Sequence, residues 1–179
     1  MFDGILSRHS LHNQAMFRTL IPNLGIAGFS LGAVAVAVYL QGAWDLAPCT
    51  MCILQRYAFL AIGLGTIALD STLSRWLSVS AAVVGILASL RIQWAISVPS
   101  VTCGRDKLAT FLNDLPWIEK FPSFEVTGVC GDKVPPVMGI PFHVWSWMLF
   151  AGLLVIVWRY GPGSRFQKPI CAVALKVAP

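Results

Sequence analysis

Residues 47–56 contain the side chains of this chain whose types and spacing best suit redox chemistry. Cys49 and Cys52 are separated by two residues, a spacing that can close a small disulfide. If the apolar residues that follow are helical, Cys52 lies in the first turn, where unpaired backbone N–H groups favour a thiolate. Arg56 follows at i+4 and falls on the same helix face. The segment therefore predicts a redox-active thiol pair beside a guanidinium group.

A second pair of cysteines, Cys103 and Cys130, lies in a later segment rich in proline and charged residues. Two pairs that face one compartment are what a thiol relay requires, because attack of a thiolate on a disulfide passes two electrons through a mixed disulfide. The loop pair can meet a soluble partner, and the first pair can meet a lipid-soluble quinone. Arg56 could donate a hydrogen bond to a quinone oxygen and stabilise the negative charge that develops there on reduction.

The composition indicates that these residues are positioned by a membrane protein. Of the 179 residues, 56% are hydrophobic and 12% are charged, whereas soluble domains have about 25% charged residues. The formal charge of +5 does not indicate a nucleic-acid partner, because the basic residues are scattered and the aromatic residues lie mostly in apolar runs. We interpret the charge as a signal of membrane topology instead.

The apolar runs predict an all-α fold, a single integral membrane domain at residues 1–179 that forms a four-transmembrane-helix bundle. Only thirteen residues separate Arg56 from Asp70, fewer than the roughly 17–25 that a spanning helix needs. The second helix must therefore begin near Cys52 and carry Arg56 within its first turns. In the long connection at residues 99–141, residues 108–118 predict a short interfacial helix that Pro116 ends or kinks. The predicted spans are residues 21–40, 52–69, 76–96 and 142–158.

The distribution of basic residues predicts the orientation. Seven lie on the side of the termini, against four in the long connection, so the positive-inside rule places residues 1–18 and 159–179 in the cytoplasm. Residues 41–51 and 99–141 then face the outer side of the membrane; the resemblance described below implies that this membrane is a bacterial inner membrane and that this side is the periplasm. Cys49, Cys52, Cys103 and Cys130 would share the side where disulfides persist, and Cys171 would lie in a reducing compartment.

Residues 48–56, Pro-Cys-Thr-Met-Cys-Ile-Leu-Gln-Arg, resemble the PCxxCxxxR signature of the DsbB family of disulfide bond formation proteins. The resemblance covers roughly residues 20–160. The chain departs from the pattern at Pro135 and His143, where many members have tryptophan and proline. Further matches are the four spans, Cys103-Gly104, the Gly-x-Cys of residues 128–130, Gly139 and Trp145-Ser146.

The resemblance implies an enzyme that reoxidises a periplasmic thioredoxin-fold dithiol oxidase of the DsbA kind and reduces a membrane quinone, ubiquinone or menaquinone. It further implies that Cys103 pairs with a cysteine of that partner and exchanges with Cys130. Cys49 and Cys52 would be the quinone-coupled pair, with Cys52 nearest the quinone and Arg56 assisting it.

Simpler interpretations of the cysteines stay open. Cys49 and Cys52 could form a structural disulfide or half of a zinc site, and a bridge between Cys103 and Cys130 could only staple the long connection. A membrane protein that binds a metal through four thiolates is thus an alternative, although a closed zinc site usually uses two close pairs and this chain has one. A vitamin K epoxide reductase-like quinone enzyme is another, although that family carries its CxxC motif in a late span.

Three further polar residues have simple alternatives of their own. Arg56 could snorkel to the membrane interface. Arg91 resembles an arginine in the third span of the family and could be structural, interfacial or catalytic. His143 lies at a predicted interface and could be a solvated residue, a capping residue or a proton donor.

Overall fold

The structure, a computed structural model, describes residues 3–68, 72–98, 107–129 and 135–161, with side chains from residue 21 onward. Within these ranges the regular structure is helical, apart from an isolated bridge between Val137 and Ile140. This confirms the predicted all-α fold. The helices are α1 (Asp3–Ala43), α2 (Thr50–Ala68), α3 (Thr72–Ser97), α4 (Lys107–Asn113) and α5 (Phe142–Tyr160).

Among the described residues, four helices are long and apolar enough to cross a membrane, which confirms the predicted four-helix bundle. The shortest of these segments has 18 residues and therefore a length of about 27 Å, close to the thickness of the hydrocarbon core. Large apolar side chains on their outer faces are exposed, as expected where lipid is the solvent. The segments are Ile21–Ala43, Thr50–Ile67, Thr72–Ser97 and Phe142–Tyr160.

Two helices extend beyond the predicted spans. Helix α1 begins at Asp3, before the span predicted at residues 21–40. Helix α3 begins at Thr72 rather than near residue 76. Its first turn is held by tertiary contacts, because Ser74 is fully buried and Arg75 donates a hydrogen bond of 3.1 Å to the carbonyl oxygen of Trp158 in α5. Contacts of this kind leave no signal in the local sequence.

The bundle packs in the order α1, α2, α3, α5, with α2 against both α1 and α3 and with α5 mainly against α3. Most buried residues of α3 are small, which lets neighbouring helices approach closely. Phe59 of α2 and Phe150 of α5 stack at 4.0 Å between ring centroids. Gly85 of α3 makes room for that stack, since a Cβ there would lie 2.4 Å from the Phe150 ring.

The connection between α1 and α2 determines where the cysteine pair lies. Asp45 has a positive φ of 48°, and the N–H of Leu46 bonds to the carbonyl oxygen of Gln41 at 3.0 Å. This is the Schellman arrangement that ends a helix and turns the chain sharply. Residues 46–49 then lead directly into α2, which begins at Thr50.

Residues 107–129 pack against the end of the bundle where α1 ends and α2 begins, here called the loop end. The indole N–H of Trp117 donates a hydrogen bond of 3.0 Å to the Tyr57 hydroxyl, and the Tyr57 ring lies 5.5 Å from that of Phe124. The predicted short helix is present as α4, which ends at Asn113, before Pro116. Its location at a membrane interface stays a prediction.

Candidate functional site

Cys49 is the N-cap residue of α2, and this places both sulfur atoms at the positive end of the helix. Its carbonyl oxygen accepts the first helical hydrogen bond, from Ile53 at 3.0 Å. Its Sγ accepts a hydrogen bond from the backbone N–H of Cys52 at 3.3 Å, the position that a serine or aspartate oxygen occupies in an ordinary N-cap. The prediction that Cys52 lies in the first turn of a helix is therefore confirmed.

The two sulfur atoms are close to each other but face different surroundings. They lie 2.6 Å apart, so little movement separates them from the length of a disulfide bond, about 2.05 Å. Cys49 is buried and packs with Ile92 and Ala95 of α3. Cys52 is partly exposed, packs against the same cluster and also lines a cavity. The pair can thus interconvert between dithiol and disulfide, with Cys52 as the member that reaches the cavity.

Arg56 lies one turn after Cys52 and connects three segments at the loop end. Its guanidinium donates hydrogen bonds to the side-chain oxygen of Gln41 at 2.6 Å and to the carbonyl oxygen of Ala37 at 3.4 Å, both in α1. It also donates to the carbonyl oxygen of Ser123 in the 3₁₀ turn Pro122–Phe124. Only 6% of Arg56 is exposed, so its charge is held by protein groups rather than by the aqueous interface.

These hydrogen bonds do not use all the donors of Arg56. A guanidinium has five N–H groups, and partners among the described residues occupy three of them. Within the part of the chain that the structure describes, two N–H groups therefore have no acceptor and can donate to a ligand. Because Arg56 also lines the cavity that Cys52 reaches, a hydrogen-bond acceptor there would meet both the cation and the sulfur.

The cavity has a volume of about 400 Å³ and lies between α1, α2 and α5. This is within the usual size range of small-molecule sites. Gly28 and Gly32 of α1 help to create it, since a Cβ at either position would meet no heavy atom within 4 Å. The walls are mainly apolar and include Phe59 and Trp145, while Gln55 and Arg56 add an amide and a cation.

Gln55 is held by a short chain of hydrogen bonds that reaches α3. Its Nε2 donates to the Ser89 Oγ at 2.9 Å, and the Ser89 hydroxyl donates to the carbonyl oxygen of Gly85 at 2.9 Å. Gln55 is 5% exposed and Ser89 is 2% exposed. The amide of Gln55 therefore has a fixed orientation in the wall of the cavity.

The segment before Cys130 is bonded to the residue before Cys49. The carbonyl oxygen of Pro48 accepts hydrogen bonds from the N–H groups of Thr127 at 3.2 Å and Gly128 at 3.0 Å. A side chain at Gly128 would not fit, because a Cβ there would lie 2.2 Å from the carbonyl oxygen of Ala47. The predicted site residues Cys103 and Cys130 themselves lie outside the described residues, as does Cys171.

Arg91 and His143 lie outside the wall of this cavity. The guanidinium of Arg91 stacks 4.4 Å above the Trp94 ring, and its buried Nη1 has no hydrogen-bond partner among the described residues. The Nε2 of His143 bonds to the side-chain oxygen of Gln93, and both residues line a smaller cavity of about 160 Å³. The predicted site residues that meet at the larger cavity are therefore Cys52 and Arg56.

Three residues at the site, Gln41, Gln55 and Ser89, were not predicted from the sequence. The signal for Gln55 was present, because an uncharged polar side chain within an apolar span is usually buried against a polar partner. Its partner Ser89 is 34 residues away in the chain, and Gln41 is 15 residues from Arg56. Those pairings depend on how the helices pack.

The described side chains contain no group of three or more His, Cys, Asp or Glu residues that could hold a metal ion. Two of the four cysteines of the metal alternative, Cys103 and Cys130, are not among those side chains.

Comparison with known proteins gives one consistent result. The family model described as disulfide bond formation protein DsbB matches residues 20–159. Disulfide bond formation protein B 2 of Burkholderia lata is 34% identical over 145 residues, which cover 76% of this chain and 84% of the relative. Disulfide bond formation protein B of Ralstonia nicotianae is 36% identical over 143 residues, 74% of this chain and 88% of the relative. The protein of that name from Pseudomonas syringae pv. tomato is 36% identical over 142 residues, which cover 75% of this chain and 83% of the relative. No solved structure matches the chain at a significant level.

Proposed function

Because this chain belongs to the DsbB family of disulfide bond formation proteins, we propose that it reoxidises a periplasmic DsbA-like dithiol oxidase and passes the electrons to a membrane quinone. The observation that carries the proposal is that Cys52 and Arg56 line the same cavity. The Sγ of Cys49 lies 2.6 Å from the Sγ of Cys52. A thiol pair at the positive end of a helix thus adjoins a site for a small ligand.

The residues of the cavity fit a quinone, ubiquinone or menaquinone. Mainly apolar walls suit its ring and isoprenoid tail, and the remaining N–H groups of Arg56 suit a carbonyl oxygen. Reduction of a bound quinone to quinol takes up the two electrons and two protons that two thiols release when they form a disulfide. A cation beside that oxygen would stabilise the negative charge that develops there.

Each residue of the pair has a different part in the proposed relay. Cys52 reaches the cavity, so it would be the cysteine that transfers electrons to the quinone. The helix N-terminus would stabilise its thiolate, and the N-cap sulfur of Cys49 is close enough to re-form the disulfide. Cys49 would therefore be the member that exchanges with the second cysteine pair.

The bonds at Pro48 support an exchange between the two pairs. Gly128 is bonded to Pro48, next to Cys49, and the two residues of chain from Gly128 to Cys130 span at most about 7 Å. Cys130 could then exchange with Cys49, while Cys103 pairs with a cysteine of the soluble partner. In this proposal the loop end faces the periplasm, and both termini lie on the cytoplasmic side of the inner membrane.

The proposal is tested with the purified full-length protein, a reduced DsbA-like thioredoxin-fold protein and a short-chain ubiquinone, by following the absorbance of the quinone. We expect Cys49→Ser and Cys52→Ser each to abolish quinone reduction, whereas Cys171→Ser, in the predicted cytoplasmic tail, retains it. A relay through this pair is wrong if either serine variant reduces quinone at the rate of the unmodified protein. Metal analysis and a free-thiol count on the same preparation test the four-thiolate alternative.

A further inference from the structure

The cavity wall contains one polar group whose hydrogen-bonding role can be deduced from its neighbours. The Ser89 hydroxyl has a single proton, which it donates to the carbonyl oxygen of Gly85 at 2.9 Å. Towards Gln55, Ser89 can therefore only accept a hydrogen bond, and the group that it faces must be the NH₂ of the amide. These hydrogen bonds thus identify the atom that faces Ser89 as Nε2 and the other terminal atom of the amide as Oε1.

The carbonyl end of Gln55 is then the end that a ligand can meet. Its Oε1 has no hydrogen-bond partner among the described residues, and Gln55 is one of the residues that line the cavity. Adjacent residues of α2 therefore give the cavity a hydrogen-bond donor and a hydrogen-bond acceptor. Arg56 can only donate hydrogen bonds, and the Gln55 oxygen can only accept them.

We propose that Gln55 is a specificity-determining residue that favours the quinol over the quinone in this cavity, and that Ser89 is the positioning residue that fixes its amide. The inference rests on the proposed function. A quinone carries two carbonyl oxygens, which accept hydrogen bonds, and has no donor on them. A quinol carries two hydroxyl groups, which can also donate. Arg56 can bond to either form, whereas the Gln55 oxygen can bond only to the quinol.

A preference for the quinol has a direct consequence for the direction of electron flow. Two thiols are oxidised to a disulfide, and the two electrons and two protons convert the quinone to the quinol. A site that binds the quinol more tightly raises the reduction potential of the bound couple and draws electrons from the thiols. For this two-electron couple, a tenfold difference in affinity corresponds to about 30 mV.

The experiment measures binding rather than turnover. Short-chain ubiquinone and its quinol are titrated anaerobically into the full-length protein in nanodiscs, in a background in which Cys49 and Cys52 are replaced by serine, so that no electrons move. We expect Gln55→Met to weaken quinol binding about three- to tenfold, the usual range for one neutral hydrogen bond, and to change quinone binding less than twofold. Ser89→Ala should act in the same direction with a smaller effect, since the amide loses its anchor.

The control is Ser80→Ala, which removes an exposed hydroxyl of α3 that bonds only within its own helix, and we expect it to change neither affinity. If Gln55→Met does not fold, Ser89→Ala carries the test, because it removes one oxygen atom and leaves Gln55 in place. Equal changes in quinone and quinol affinity, or no change in either, would overturn the inference and leave the proposed function standing. If the parent protein binds neither form, the proposed function itself fails.

Discussion

The backbone N–H of Gly128 donates a hydrogen bond of 3.0 Å to the carbonyl oxygen of Pro48. Gly128 lies two residues before Cys130, and Pro48 lies directly before Cys49. The bond therefore joins the segments that lead to two of the predicted redox cysteines. The approach is close enough that only glycine fits at position 128, since a Cβ would lie 2.2 Å from a backbone oxygen. Backbone atoms cannot move aside as a flexible side chain can.

We therefore expect Gly128→Ala to displace residues 127–129 from Pro48 and to slow electron transfer from the soluble partner to Cys49 and Cys52 at least tenfold. Quinone affinity should stay within twofold, because position 128 does not line the cavity. Stopped-flow measurements of quinone reduction and a separate binding titration distinguish the two effects. Gly152→Ala is the control, since a Cβ there meets nothing within 4 Å. Full activity in Gly128→Ala would show that this contact has no part in the exchange.

Arg56 is expected to act through its geometry as well as its charge. Arg56→Lys keeps a cation but loses the planar group that reaches Gln41, Ala37 and Ser123 together. We expect the KM for quinone to rise at least tenfold in Arg56→Lys, since hydrogen bonds to charged groups contribute about 1.5–3 kcal/mol. Gln41→Leu should raise it about threefold, because it removes one of the groups that position the guanidinium. Steady-state kinetics at saturating reduced partner give these values, and an unchanged KM in Arg56→Lys would show that quinone binding does not depend on the planar guanidinium group.

The packing of α3 against α5 leaves no room for a larger residue at Gly85. In Gly85→Ala the new methyl group would overlap the Phe150 ring, and overpacking of this kind costs typically about 1–3 kcal/mol. We expect a lower midpoint temperature of unfolding in detergent. Gly25→Ala, where a Cβ meets nothing within 4 Å, should change it little. The double variant Gly85→Ala, Phe150→Leu should regain part of the loss, and additive losses would show that the two residues do not contact each other.

How much of the site the sequence could predict depends on whether a residue is positioned by its own helix. The location of Cys52 in the first turn followed from the length of the apolar run after it, because a helix long enough to span a membrane must begin there. The prediction that Arg56 lies close to Cys52 followed from the i+4 spacing of the two residues. Both features are local, and both are confirmed by the geometry of α2.

The features that the sequence could not supply are contacts between helices. Ser89 is one of several small polar residues of α3, and its partner Gln55 is determined only when α2 and α3 pack. The carbonyl oxygen of Ser123 that bonds to Arg56 carries no sequence signal, because every residue has one. The cavity itself depends on how α1 and α5 are placed around α2. Tertiary packing thus supplies the ligand site around a locally encoded thiol pair.

The two glycines of α1 that face the cavity offer the most direct test of where the quinone binds. A Cβ at Gly28 or Gly32 meets no heavy atom within 4 Å, so a leucine at either position should enter the cavity without straining the bundle. We expect Gly32→Leu to weaken binding of short-chain ubiquinone at least tenfold and to leave the unfolding temperature unchanged or higher, since leucine is a better helix former than glycine.

In the same variant, disulfide exchange with the soluble partner should proceed normally until the four cysteines are reduced, whereas the quinone-dependent turnover that follows should be slowed, because the quinone binds more weakly. A single-turnover experiment without quinone, followed by the addition of quinone, resolves these two stages. Gly25→Leu is the matched control on the same helix, since Gly25 does not line the cavity and has equal space around it. Wild-type quinone affinity in both Gly28→Leu and Gly32→Leu would show that the quinone does not contact this wall of the cavity, because a leucine side chain at either position occupies space beside α1.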